Sequence, residues 1–508
     1  MATALQTSGG DLSEGGRTAR RLLTGGSVLA AAVLGGGVYA ALAMSGGGDQ
    51  PDSVLPATAA AYVQVDLDPG AGQKVTAVRF LRGLDPEVRE SIDRDWRAWV
   101  WEQLQDEGDL PSDVDYAEDV EAWLGDRGGL AVLPAVEGEE PVAAVALQVK
   151  DGQAALDFLD GLDREAADDL AYYLDDDYVV LTRQGSLETV RAAAGAGTLA
   201  EHEQYTSDMD DLGEAGIVAV WADAARTSGI DLRALAPEQG KTEDDRGLPG
   251  HPEVDGRVAG TVRFSADTIE LHAITRGVTG IDLPEAGMAG RLVGDLPADT
   301  VVALSIENGA QKVQAAWDHD VDLHPERAAE AGEQASQAGL ALPDDLGTVL
   351  GESMTLSVGP GIVGALIRAG LTDPPVPALP VGYRVTTDTA RLQALLSENG
   401  PGVGSLVLRE DDGTLTVGTD QAYVDGLVDG ADETLASTAL FSAAVADPGS
   451  SDSVLFVDVT AFERFYLPRV TDERVRSALE ELRAVGMSGS AEGQGGGRLT
   501  LRLVADEE

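Results

Sequence analysis

One order of segments occurs twice between residues 53 and 508, and no other feature of the sequence constrains the fold as much. Leu55-Pro56-Ala57 opens an apolar strand at 61–65, and Gly72-Gln73-Lys74-Val75 then begins a helix. Leu296-Pro297-Ala298 opens a strand at 301–306, and Ala310-Gln311-Lys312-Val313 begins a helix. Trp123-Leu124-Gly125-Asp126 precedes a strand at 130–133, and Val349-Leu350-Gly351-Glu352 precedes one at 354–358. Strands at 142–149 and 381–385 lead into acidic helix starts at Asp151 and Asp388. Strands at 178–182 and 414–417, then 217–221 and 454–459, keep the register, and each copy closes on an alternating strand, 260–274 and 498–504. Alternation marks a sheet with one buried face. Adjacent strands joined by turns, with helices between the pairs, predict an α+β fold: two tandem related domains with largely antiparallel sheets and packed helices.

The copies run over 53–285 and 290–508, with Pro284 and the glycine-rich run through Gly294 at the join. Asp85-Pro86 starts a helix whose stripe is Val88, Ile92, Trp96 and Trp99, and Asp472 caps one with Val475, Leu479 and Leu482, ended by Gly486. Residues 236–256 read as a surface loop.

Ahead of the copies, residues 22–44 carry no charge. The 18 residues from Ser27 to Met44 are long enough for a helix to cross about 30 Å of hydrocarbon. Arg17, Arg20 and Arg21 against Asp11 and Glu14 leave the first 25 residues at +1, and Asp49 and Asp52 follow the run. That asymmetry predicts a cytoplasmic tail at 1–25, a transmembrane helix at 26–44, a linker at 45–52, and the bulk of the chain outside the cell membrane. A cleaved signal peptide is the alternative, since Ala41-Leu42-Ala43 has the small-x-small form.

The 508 residues hold 88 acidic and 35 basic side chains, a formal charge of −53, and no cysteine. Such a field repels phosphate backbones, which argues against nucleic acid as a partner. Without cysteine there are no disulfides, thiolate metal sites or thiol nucleophiles. The excess of acid is spread in short runs through both copies, as on a surface kept soluble and free of patches.

Leu-Pro-Ala at 55–57, Tyr-Val-Gln-Val-Asp-Leu-Asp-Pro at 62–69, Ala71-Gly72-Gln73-Lys74 and Trp123-Leu124-Gly125-Asp126-Arg127 together resemble an actinobacterial family, domain of unknown function 3352. The resemblance implies a membrane anchor with an extracytoplasmic domain. It implies no activity and transfers no functional residue.

Several strings deserve a chemical reading. Gly359-Pro360-Gly361-Ile362-Val363-Gly364 has the form G-x-G-x-x-G, but a dinucleotide site needs a helix opening there; a glycine-rich turn is expected instead. Asp318-His319-Asp320-Val321-Asp322-Leu323-His324 has metal-ligand residue types without metalloprotease spacing, and reads as the end of one helix before Pro325 begins the next. Acidic turns at 106–119, Asp175-Asp176-Asp177 and Glu410-Asp411-Asp412-Gly413 do not fit a calcium loop. Trp96 and Trp99 fall on an apolar stripe, and Trp101 lies off it. Lys74 and Lys312, two of only four lysines, occupy one position of the repeat. They are either paired anion contacts or an inherited side chain covering the core edge. No nucleophile elbow, S-x-x-K or P-loop occurs. Catalytic, cofactor-binding and metal-ligating residues are therefore expected to be none, with no cofactor. The chain reads as a non-enzymatic, single-pass, extracytoplasmic binding or envelope-scaffold module, anchored by one N-terminal helix and meeting a protein or small ligand where the repeats join. The alternative is a membrane-anchored hydrolase using acidic residues, metal-assisted or not.

Overall fold

The computed structural model describes residues 49–66, 114–134, 141–162, 169–213, 216–226, 256–265, 267–278, 287–369, 378–399, 406–471, 473–493 and 495–505. The chain divides near residue 250 into two compact units, each a mixture of helices and antiparallel sheet. The predicted transmembrane run lies outside the described residues. No helix among those described is long and apolar enough to cross a membrane.

The first unit builds its sheet from β1 (Ala61–Asp66), β2 (Leu124–Leu133), β3 (Val142–Val149), β4 (Leu170–Asp175), β5 (Tyr178–Arg183) and β6 (Val218–Asp223), in the order β6-β1-β2-β3-β5-β4. Their pairings with a defined register are antiparallel. β1 and β2 are buried nearly end to end, so burial along them shows no alternation. The Asp151 side chain caps the Gly152–Gly161 helix by accepting from the amides of Gln153 and Ala154. That helix packs Ala155 and Leu159 against Trp123, Val149 and Val179. Tyr62, Tyr205 and Trp221 form an edge-to-face aromatic chain, with centroids 5.6 and 5.7 Å apart. At the end of β1, Asp66 pairs with buried Arg127 at 3.1 Å and accepts a 3.0 Å bond from Gln50.

The second unit contains β7 (Arg257–Phe264), β8 (Thr268–Arg276), β9 (Val302–Glu307), β10 (Ser353–Val358), β11 (Val381–Thr386), β12 (Val407–Asp411), β13 (Thr414–Gly418), β14 (Ser453–Asp458), β15 (Leu482–Ala491) and β16 (Gly497–Ala505). Their order is β12-β13-β11-β10-β9-β14-β15-β16-β8-β7. The stretch β14-β9-β10-β11-β13-β12 repeats the first unit strand for strand. The match extends to detail. Pro56 bridges Thr198 and Pro297 bridges Thr434, so Leu-Pro-Ala in each copy is tied to a Thr-Leu-Ala turn. Leu199 N donates to Leu55 O at 2.9 Å, and Leu435 N to Leu296 O at 2.7 Å. Phe441 and Phe456, edge to face at 5.6 Å, stand where Tyr205 and Trp221 stand in the first unit.

Three expectations are corrected. The segment 260–274 is not one strand but the β7–β8 hairpin, which packs in the second unit with β8 paired to β16. The helix expected to run to Gly486 stops at Glu481, and β15 begins at Leu482, where the backbone finds partners on both β14 and β16. The glycine-rich join contains a short helix, Ala289–Gly294, because Ala289 and Val293 bury into the core and Gly290 admits the Pro448 carbonyl.

Candidate functional site

A concavity of about 590 Å³ lies in the second unit, where the end of β11, the β9–β10 connection and the β12–β13 turn meet. Asp344, Gly347 and Thr348 come from the Asp344–Leu350 helix, Ala310 and Gln314 from the Gly309–Leu323 helix, and Thr386, Thr387 and Asp388 from the end of β11. Its floor is backbone. Gly351 holds φ at +61°, and a Cβ there would sit 2.3 Å from Thr386 O, so this position of the repeated Leu-Gly pair needs glycine. Gly125, its counterpart, is also close-packed, with a Cβ there 2.7 Å from Gln148 Cβ. Ala310 N donates to Gly351 O at 2.8 Å, and Thr387 Oγ1 to Thr348 O at 2.7 Å. Asp388 accepts from Arg391 N at 3.0 Å, as the first residue of the Thr389–Asn399 helix arrangement requires. Buried Asp345 pairs with Arg391 at 2.5 Å and locks the two helices beside the groove. The rim thus presents the carboxylates of Asp344, Glu352 and Asp388 with threonine hydroxyls between them.

A second polar assembly lies on one face of β7, β8 and β16. Arg263 and Arg502 both grip Glu270, at 2.7 and 2.8 Å. Buried His272 stands between Thr500 Oγ1, 2.9 Å from Nδ1, and the Arg498 guanidinium, 2.9 Å from Nε2. Arg498 only donates, so Nε2 accepts and the Nδ1–H points at Thr500. Burial, with Arg263 and Arg498 close by, holds His272 below its ordinary value, against the pull of Glu270 and Asp447. The folded chain therefore keeps this imidazole neutral while the unfolded chain protonates near pH 6.5. Stability contributed here is intact above pH 7 and falls as pH drops through 6.5, by at most about 1.4 kcal/mol per pH unit. Urea midpoints measured between pH 8 and 5.5 will show that slope, and His272→Gln will flatten it; an unchanged slope would contradict the assignment.

The structure answers several of the sequence candidates. Gly359–Gly361 form the expected glycine-rich turn, and it leads from β10 into a short helix, Ile362–Ala369. β10 is nevertheless antiparallel to both neighbours, so the parallel strand–helix–strand unit of a dinucleotide site is missing from this place. His324 ends the Gly309–Leu323 helix and precedes Pro325 of the next, as expected. Asp175–Asp177 and Asp411–Gly413 are hairpin turns between β4 and β5 and between β12 and β13. No group of three His, Asp or Glu placed to hold a metal occurs among the described residues. Melting temperature is expected to change by less than about 1 °C between millimolar calcium and EDTA if the described residues, which hold no such group, account for the protein's metal affinity. A shift of several degrees would instead locate a metal site.

Lys312 donates to Asp452 at 2.6 Å and to Ser453 at 3.0 Å, while Asp452 also accepts from Ala491 N at 2.6 Å. It is thus a tie between helix and sheet, and not an anion contact. Its partner position in the first copy is filled by Ile217, whose carbonyl, like that of Asp452, accepts from the last residue of the central strand. Lys312→Met should cost about 2 kcal/mol by leaving a buried carboxylate short of its cation, measured by urea unfolding. Lys74, the tryptophans at 96, 99 and 101, the acidic turn at 106–113 and the loop at 236–255 lie outside the described residues.

Sequence reasoning missed the groove residues and the His272 assembly. Thr198-Leu199-Ala200 and Thr434-Leu435-Ala436 were a usable signal for the repeat, and nothing comparable marks the groove. Comparison with curated proteins and with solved structures finds no match. Residues 23–172 match a family described as Protein of unknown function (DUF3352), the family that the Leu-Pro-Ala and Trp-Leu-Gly-Asp phrases of this chain resemble.

Proposed function

We propose that the chain is a membrane-anchored, extracytoplasmic, non-enzymatic binding module that takes a small polar ligand in the second unit's groove. One observation carries the reading. The groove is lined by carboxylates, threonine hydroxyls, one amide and glycine backbone, with no histidine, serine, lysine or tyrosine among the lining residues. That set recognises hydroxyl and amine groups, and it holds no histidine or lysine to activate a hydroxyl nucleophile. The acidic rim favours a cationic ligand such as an amino sugar or polyamine. The uncharged run at 22–44, with arginines before it and aspartates after it, supports the anchor and its orientation.

Thermal shift of the full chain with glucosamine and with spermidine tests the groove. A saturable rise in melting temperature, weakened about tenfold by Glu352→Gln with Asp344→Asn, supports it. The absence of any rise defeats it, and turnover of a chromogenic glycoside would favour the hydrolase, which would draw on the same carboxylates. The orientation has its own test, because the chain has no cysteine of its own. In intact cells a membrane-impermeant maleimide should label Asp49→Cys and spare Ala2→Cys.

A further inference from the structure

Residues 49–60 cross the first unit's sheet from one end to the other before β1 begins. The register defines those ends: Asp66, Arg127, Gln148 and Tyr178 stand at one, and Ala61, Val132 and Arg183 at the other. The chain enters at the first end, where Asp49 O accepts from the Tyr178 hydroxyl at 2.7 Å. Gln50 is held through both atoms of its amide, donating to Asp66 at 3.0 Å and accepting from Gln64 at 2.7 Å. Pro51 is buried on β2, where a Cβ on Gly129 would sit 2.6 Å from the proline Cβ. Asp52 accepts from the Tyr205 hydroxyl at 2.9 Å. By Pro56 the chain has reached the other end, where Ala60 N donates to Val132 O at 2.8 Å and β1 turns back. Pulling this segment out would strand polar partners inside the unit, so it resists displacement.

We propose that this crossing is a rigid mount, which sets the Tyr178 end of the first unit against the bilayer surface. The proposal rests on the anchor at 26–44 and goes beyond it, since an anchor alone leaves a module free to tumble on its tether. Two features leave no room for a tether. Only residues 45–48 separate the end of the uncharged run from Asp49, and that stretch of chain reaches at most about 18 Å. From Asp49 onward the backbone is already fixed to the sheet, by the Tyr178, Gln64, Asp66 and Tyr205 bonds. The direction follows from the register. The Asp175–Asp177 turn and Lys150 lie at the end where the chain enters. Gln184 lies past the far end of β5, about 20 Å away at about 3.3 Å per residue. A chain carrying −53 gains nothing by lying flat on phosphate headgroups, so the unit stands on this end.

The absence of cysteine makes the test direct. The full chain carrying Asp177→Cys or Gln184→Cys is labelled with a fluorescent maleimide. It is then reconstituted in phosphatidylcholine vesicles that contain phosphatidylethanolamine with rhodamine on its headgroup. Energy transfer to the headgroups should be at least twofold more efficient from position 177 than from 184. Lys150→Cys replaces Asp177→Cys should the latter lower the melting temperature. A flexible Gly-Ser insert of about 20 residues between Ser45 and Gly46 should reduce transfer from 177 and abolish the difference between the two positions. Equal transfer from the two positions without the insert overturns the mount, and so does a difference that survives the insert. Flotation separates this from the anchor. A chain that does not float with the vesicles overturns the anchor and the mount together, whereas one that floats and transfers equally overturns the mount alone.

Discussion

Trp221→Ala is expected to destabilise the protein by about 4–5 kcal/mol, at the upper end for loss of a buried aromatic. The indole is 1% exposed, lies edge to face with both Tyr205 and His202, and donates from Nε1 to buried Asp208 at 2.9 Å. Truncation therefore opens a cavity and also takes a donor away from a carboxylate that is 2% exposed. For a unit of this size the midpoint should fall by about 10 °C. Trp221→Phe keeps most of the ring contact and loses only the donor, so it should cost about 1–3 kcal/mol. Phe456→Ala, at the matching place in the second unit, removes a ring with no polar duty and should cost about 3 kcal/mol. Urea titrations of the three variants check the ranking. Equal losses at Trp221 and Phe456 would mean that the Asp208 bond contributes nothing.

That ranking shows what could be read from residues alone. The two apolar runs ending at Trp221 and Val459 were visible as strands because they are continuous apolar stretches that carry β-branched residues. Their partners were less visible. β15 buries Ala484, Gly486 and Ser488, so its inward face has almost no hydrophobic signal, and Leu482 was free to be read as the last member of the Val475 and Leu479 stripe. β7 and β8 ran together because alternation continues on both sides of the turn that joins them, and half-buried Arg263 and Glu270 share a face with buried His272, Ala259 and Ile274. The groove was invisible because Gln314, Thr348, Thr386 and Asp388 come from separate segments, and each is an ordinary surface residue in its own neighbourhood. Local spacing encodes an N-cap such as Asp151 or Asp388, and says nothing of which caps the sheet brings together.

A large backbone effect should come from Gly486. A Cβ built on it would lie 2.0 Å from the Ala444 carbonyl oxygen and 2.4 Å from its carbon. The obstacle is main chain at the end of the Ala439–Ala444 helix, so no rotamer change relieves it. Phe441 and Ala444 of that helix are packed in one core with Phe456, Val454 and Ala484, and lifting the helix to admit a methyl group would part them. Gly486→Ala is accordingly expected to cost at least 3 kcal/mol, more than the usual penalty for overpacking a side-chain contact. Three residues along the same strand, Gly489 has its nearest atom, the Arg498 carbonyl oxygen, at 3.7 Å, an ordinary contact. Gly489→Ala should be neutral or stabilise by up to about 1 kcal/mol, since it removes freedom only from the unfolded chain. Chemical denaturation of both variants separates the two claims. A Gly486→Ala protein as stable as its Gly489→Ala counterpart would mean that the helix does not rest on β15 as described, and the core between them would need to be redrawn.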